Sequence, residues 1–157
     1  MPLPFAITLA LTSSAETDRL GQIMAPHLGP GDTVLLRGTL GAGKSHLARV
    51  IIQNRLGRLE DVPSPTFTLV QIYDTPECEI WHADLYRLSH PDEVMELGLE
   101  DAFATAICLV EWPDRLGRLV PANAIEVTLS HEGEGRRAEL VFSGRPNLQS
   151  ALRGFAE

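Results

Sequence analysis

The stretch GTLGAGKS, Gly38–Ser45, constrains this chain more than any other. It has the order glycine, four residues, glycine, lysine, hydroxyl residue. It stands between an apolar run, Val34–Leu36, and a segment with Leu47, Val50, Ile51 and Leu56 on one helical stripe. Glycines let successive backbone N–H groups wrap an anion at a helix N-terminus, where the dipole also favours negative charge. The spacing predicts a strand over Thr33–Arg37, a phosphate-binding loop and a helix from Ser45 to about Leu56 closed by Gly57. Lys44 is then expected to reach the β- and γ-phosphates of a nucleotide, and the Ser45 hydroxyl to ligate Mg²⁺. His46 offers its backbone N–H toward the α-phosphate.

Basic-residue usage sharpens this reading. Of thirteen Lys plus Arg residues, Lys44 is the only lysine. A compact ammonium fits between phosphate oxygens where a planar guanidinium is a poor substitute. The same count excludes guanine recognition through an Asn/Thr-Lys-x-Asp motif, since no second lysine exists to form it. A net charge of −8 argues against independent nucleic-acid binding, which rests on phosphate neutralisation by Lys and Arg. No apolar run reaches the length of a membrane span. Met1–Ala10 lacks a positively charged leader region, so a cytoplasmic location is expected. Cys78 and Cys108 form no CxxC pair and are read as reduced thiols, Cys108 within an apolar run.

The rest of the chain alternates strands and helices with Pro and Gly punctuation. Phe5–Leu11 reads as a strand, and Ser13 with Glu16 as a capping box opening a helix to about Leu28, shortened by Pro26. Thr68–Tyr73 and Glu79–Asp84 read as a hairpin, Pro91–Leu97 and Leu99–Phe103 as short helices, and Ala106–Val110 as a doubly buried strand. Ala124–Ser130 and Arg137–Ser143 form a second hairpin across His131–Gly135, and Pro146–Phe155 a closing helix. The fold class expected is α/β, a single P-loop NTPase-like domain over 1–157 with a mainly parallel central sheet, antiparallel hairpins and flanking helices. Asp84 and Glu111, each at the end of a strand, are the carboxylates expected to serve Mg²⁺ or a water. Trp112 is equally a packing residue or a nucleotide contact. His82 is a structural histidine or a proton relay with Asp84. SPTFT, Ser64–Thr68, is a γ-phosphate-sensing switch or a rigid turn.

The blocks VPSPTFTLVQIYD, WHADLYRL, ELGLED and CLVEWPDRL follow GTLGAGKS in an order that resembles the bacterial TsaE (formerly YjeE) family. These are small P-loop ATPases required for threonylcarbamoyladenosine modification of tRNA. The resemblance implies an ATP- and Mg²⁺-dependent hydrolase that works with the TsaB and TsaD proteins and meets tRNA only through that complex. It implies phosphate contacts from Leu40, Gly41, Ala42, Gly43, Lys44 and Ser45. It also implies Mg²⁺ ligation by Ser45 with Glu111, a functional Asp84, a switch-loop Thr66 and, by a looser alignment, a late nucleotide contact from Arg136. Thr39, Ser45 and Ala83 depart from the family's usual Asp, Thr and aromatic; Ser for Thr keeps the metal-binding hydroxyl. The rival readings are a small-molecule kinase, which needs an arginine-bearing lid where the 58–67 loop offers only Arg58, and a nucleotide-dependent adaptor.

Overall fold

A computed structural model describes residues 4–57, 60–65, 68–90 and 92–156. The strands are β1 (Phe5–Leu11), β2 (Thr33–Gly38), β3 (Val70–Asp74), β4 (Glu79–Asp84), β5 (Ile107–Glu111), β6 (Ile125–Glu132) and β7 (Gly135–Phe142). The helices are α1 (Ser14–Met24), α2 (Lys44–Leu56), α3 (Glu93–Leu97), α4 (Leu99–Thr105) and α5 (Pro146–Ala156).

The strands form one sheet in the order β1-β7-β6-β2-β5-β4-β3. Its middle, β6-β2-β5-β4, is parallel, and β7, β1 and β3 are antiparallel to their neighbours. The expected parallel centre with antiparallel hairpins is therefore present. Because β2 and β5 are covered on both faces, their sequences read as continuous apolar runs. Side-chain alternation still sorts them: Val34, Leu36, Ile107 and Leu109 join the core under α1, α2 and α5, whereas Leu35, Cys108 and Val110 join the core under α3 and α4. Leu47, Ile51 and Ile52 of α2 are fully buried against the first face. Each contributes about 1.5–3 kcal/mol of burial, which seats the N-terminus of α2 over the ends of the parallel strands.

Several boundaries move for local reasons. Ser13 precedes α1 but makes no side-chain cap; its carbonyl accepts from Glu16 N–H at 3.1 Å instead, so the capping box is not formed. Pro26 shortens α1 as expected, into a 3₁₀ turn over Ala25–His27. β3 starts two residues late because Leu69 is left-handed, with φ 68°. The second hairpin turns tightly, with strands running to Glu132 and from Gly135 and Gly133 at φ 60°. A 3₁₀ segment, Pro113–Leu119, follows β5 where the sequence reading placed no element. The helix expected over Pro91–Leu97 occupies Glu93–Leu97; Pro91 lies outside the described residues. No helix among the described residues is long and apolar enough to cross a membrane.

Candidate nucleotide-phosphate site

β2 ends at Gly38, and the loop Thr39–Gly43 turns the chain into α2. Gly38, Gly41 and Gly43 have φ of 139°, 78° and 105°, a region that side chains with a Cβ adopt only under strain. At Gly38 space is as limiting as conformation, because a Cβ there would meet the Leu129 carbonyl oxygen at 2.2 Å. The first N–H groups of a helix lack intrahelical acceptors, so the start of α2 carries donors the helix does not use, while within the loop the Ala42 N–H donates to the Thr39 carbonyl at 3.2 Å. Ala42 is buried beneath the loop rather than facing outward.

A cleft of 390 Å³ opens at this point, lined by Leu40, Gly41, Gly43, Lys44, Ser45 and His46, by Asp84 and Glu111 from β4 and β5, and by Trp112 and Arg136. Thus the structure gathers every sequence-predicted site residue here except Ala42, which underlies the loop, and Thr66, which lies outside the described residues. Asp84 and Glu111 meet because β4 and β5 are parallel and pair them directly in register. Arg136 arrives from the second hairpin and donates to the Gly41 carbonyl at 3.1 Å. His46 pairs through its side chain with Asp18 of α1 at 2.6 Å, leaving its backbone at the cleft.

Glu111 is 2% exposed, an expensive place for a carboxylate unless it is hydrogen-bonded. The Ser45 hydroxyl lies 2.9 and 3.1 Å from its two oxygens, and His82 Nε2 lies 2.7 Å from Oε2. His82 is therefore engaged with Glu111; its polar contact is not the Asp84 relay considered from sequence. Lys44 donates to the Gly38 and Thr39 carbonyls, the latter at 3.2 Å, and stands over the Trp112 ring. Burial pulls the Lys44 ammonium below its usual value, against the raising effect of the Glu111 and Asp84 carboxylates. Trp112 is left-handed at φ 59° and packs on Tyr86 at 4.9 Å between ring centres, so packing and site lining are both true of it.

A second cavity of 160 Å³ shares Gly43, His46 and Arg136 with the first and continues over Leu11, Ser13, Ser14, Thr17, Glu134 and Gly135. Sequence reading missed these residues. They belong to the β1–α1 junction and the β6–β7 turn, which meet only because β1 pairs with β7 from Phe5↔Phe142 to Leu11↔Arg136. The paired hydroxyls of Ser13 and Ser14 were the one available signal.

The family model described as "Threonylcarbamoyl adenosine biosynthesis protein TsaE" matches residues 11–139. The chain belongs to the TsaE family. Among its relatives, the tRNA threonylcarbamoyladenosine biosynthesis protein TsaE of Rickettsia prowazekii is 43% identical over 119 residues, 76% of this chain and 83% of that protein. The Rickettsia felis protein of the same name is 42% identical over 149 residues, 95% and 86% of the two chains. The crystal structure of Bacillus subtilis YdiB shares the fold with a TM-score of 0.77 at 22% identity, covering 99% of this chain and 97% of that one. The match to TsaE spans the phosphate loop, both strand-end carboxylates and Arg136, so the cleft lies within the family's shared region.

Proposed function

We propose that this TsaE-family chain binds Mg·ATP in the cleft and hydrolyses it as the nucleotide-driven member of the tRNA threonylcarbamoyladenosine machinery, acting with TsaB and TsaD. The observation that carries the reading is the Ser45–Glu111 contact beside Lys44. It sets a hydroxyl and a carboxylate, both hard oxygen donors suited to Mg²⁺, at the mouth of an anion-binding loop. The donor set fits a cation that completes its shell with phosphate oxygens and water. Among the described residues there is no cluster of three or more His, Cys, Asp and Glu side chains that would enclose a metal alone. Mg²⁺ bound there supplies neutralisation of charge on the β- and γ-phosphates.

The chain's own residues do the rest. The N–H groups of Leu40–Ser45 and His46 hold the phosphate chain, and Lys44 leaves its loop carbonyls for the β- and γ-oxygens. Asp84, next to Glu111 in register, orients the attacking water. Arg136 contacts the nucleotide where the two cavities join, and the Ser13–Thr17 cavity accepts the nucleoside end. Thr66 acts from the switch segment. With a net charge of −8, contact with tRNA falls to the partner proteins. A cytoplasmic location follows from this role.

The test is the ATPase rate of the purified chain with and without TsaB–TsaD. Slow turnover alone and stimulation of about tenfold or more by the pair is expected. Turnover of many per second without partners, no stimulation, or transfer of the phosphoryl group to a metabolite would overturn it, the last in favour of a kinase.

A further inference from the structure

β4 shows alternate residues to the α2 side of the sheet: Ile80 enters the apolar core, and His82 and Asp84 follow two and four residues on. His82 is 1% exposed, Asp84 6% and Glu111 2%. The register pairs Asp84 with Glu111 and His82 with Leu109, so the imidazole reaches Glu111 diagonally across the β4–β5 pair. Nε2 lies 2.7 Å from Oε2; an ionised carboxylate can only accept, so with Glu111 ionised the N–H sits on Nε2 and donates to it. Nδ1 is buried with no hydrogen-bond partner among the described residues, so the ring's polar contact is Glu111 and no further relay group follows it.

A glutamate at a strand end has three torsions. Burial alone does not choose which carboxylate edge faces the cleft. Among the described residues Glu111 accepts side-chain hydrogen bonds from Ser45 and His82. Ser45 is itself a proposed metal ligand, and its single hydroxyl proton is shared between two oxygens 2.9 and 3.1 Å away. His82, held in a packed wall, is the rigid donor of the two. Groups that orient a metal-binding carboxylate in this way tune its affinity for the ion.

We propose that His82 is a positioning residue, which by donating from Nε2 to Oε2 fixes the Glu111 carboxylate so that Oε1 and the remaining lone pair of Oε2 face the cleft for Mg²⁺. The proposal rests on the Mg·ATP reading above. It assigns to WHAD a role distinct from that of its aspartate: His82 sets the metal ligand from behind the site, whereas Asp84 lines the cleft.

The test titrates MgCl₂ into the chain with a fluorescent ADP analogue, in the wild type and in His82→Phe, His82→Gln and His82→Asn, with thermal midpoints measured without nucleotide or metal. A glutamine amide reaches about where Nε2 lies, an asparagine amide stops short, and phenylalanine keeps volume without a donor. We expect His82→Phe and His82→Asn to need about tenfold or more Mg²⁺ for half-saturation, with His82→Gln close to wild type. Unchanged Mg²⁺ dependence in His82→Phe overturns the positioning role. So does a loss that follows the thermal midpoint equally in all three variants. If His82→Phe does not fold, equal Mg²⁺ dependence of the Gln and Asn variants overturns it. A wild type with no Mg²⁺ dependence at all would instead remove the Mg·ATP reading.

Discussion

The Lys44 ammonium stands 3.8 Å from the centre of the Trp112 ring, over a face that is negative in its quadrupole. Its other partners are the Gly38 and Thr39 carbonyls of its own loop. A phosphate chain entering the cleft would compete with all three, so nucleotide binding is expected to change the environment of Trp112 directly. The chain has two tryptophans, and Trp81 lies on the side of β4 opposite His82 and Asp84, packed against the α3–α4 core. In a Trp81→Phe background the remaining emission is expected to shift and saturate with added ATP, and Lys44→Ala is expected to weaken ATP binding by about tenfold or more. Flat Trp112 emission under saturating ATP would break the link.

In the proposed Mg·ATP reading, Glu111 serves the metal and the loop holds the phosphates. Glu111→Ala is expected to keep much of the ATP binding while losing Mg²⁺-dependent hydrolysis, since the backbone donors that hold phosphate remain. Ser45→Ala removes the other proposed ligand and a partner of the same carboxylate, so the two losses are expected to be less than additive. A double-mutant cycle on hydrolysis rate checks this. Unchanged turnover in Glu111→Ala removes that residue from the site.

Two loop glycines are expected to behave differently although both are left-handed. At Gly38 a methyl group would collide with the Leu129 carbonyl at 2.2 Å, whereas nothing lies within 4 Å at Gly41. Gly38→Ala is therefore expected to cost about 3 kcal/mol or more of stability. Gly41→Ala should cost about 1–2 kcal/mol for the backbone conformation alone. Urea unfolding of the two variants measures the gap, and equal costs would contradict the steric account.

Burial, with a smaller effect from Cys78, pushes the Cys108 thiol from 9.0 up to about 12. A folded value above the unfolded one means that this stabilising contribution is complete below about pH 9 and is lost as pH rises through about 12. The stability of the wild type is expected to fall more between about pH 8 and pH 11 than that of Cys108→Ala. Alkylation should modify half-buried Cys78 first and reach Cys108 only as the chain unfolds. Identical pH slopes in the two proteins would refute the assignment.

What could be read without coordinates was what depends on neighbours along the chain. The glycine spacing, the strand before it and the amphipathic stripe after it made the β2–loop–α2 unit legible, and the apolar runs ending in Asp84 and Glu111 marked two carboxylates at strand ends. The failed Ser13 cap and the late start of β3 at a left-handed Leu69 are local too, but they turn on backbone conformation, which a capping propensity of about 1 kcal/mol does not fix. His82 shows the limit well. Its sequence neighbour Asp84 suggested a relay, yet its hydrogen-bond partner is 29 residues away.

The sequence by itself determined that a glycine-rich loop lies between a strand and a helix, because the required backbone conformations belong to glycine, and it set the chain's only lysine at the end of that loop. It also carried the block order that marks the TsaE family. Tertiary structure alone decided which groups face one another: Ser45 on Glu111 across 66 residues, Arg136 on Gly41 across 95, and the second cavity where β1 lies beside β7. The physical reason is strand order and register. A side chain's face follows from its own position along a strand, but its partner follows from which strand packs alongside and at what offset, and that is chosen by the burial of the whole sheet.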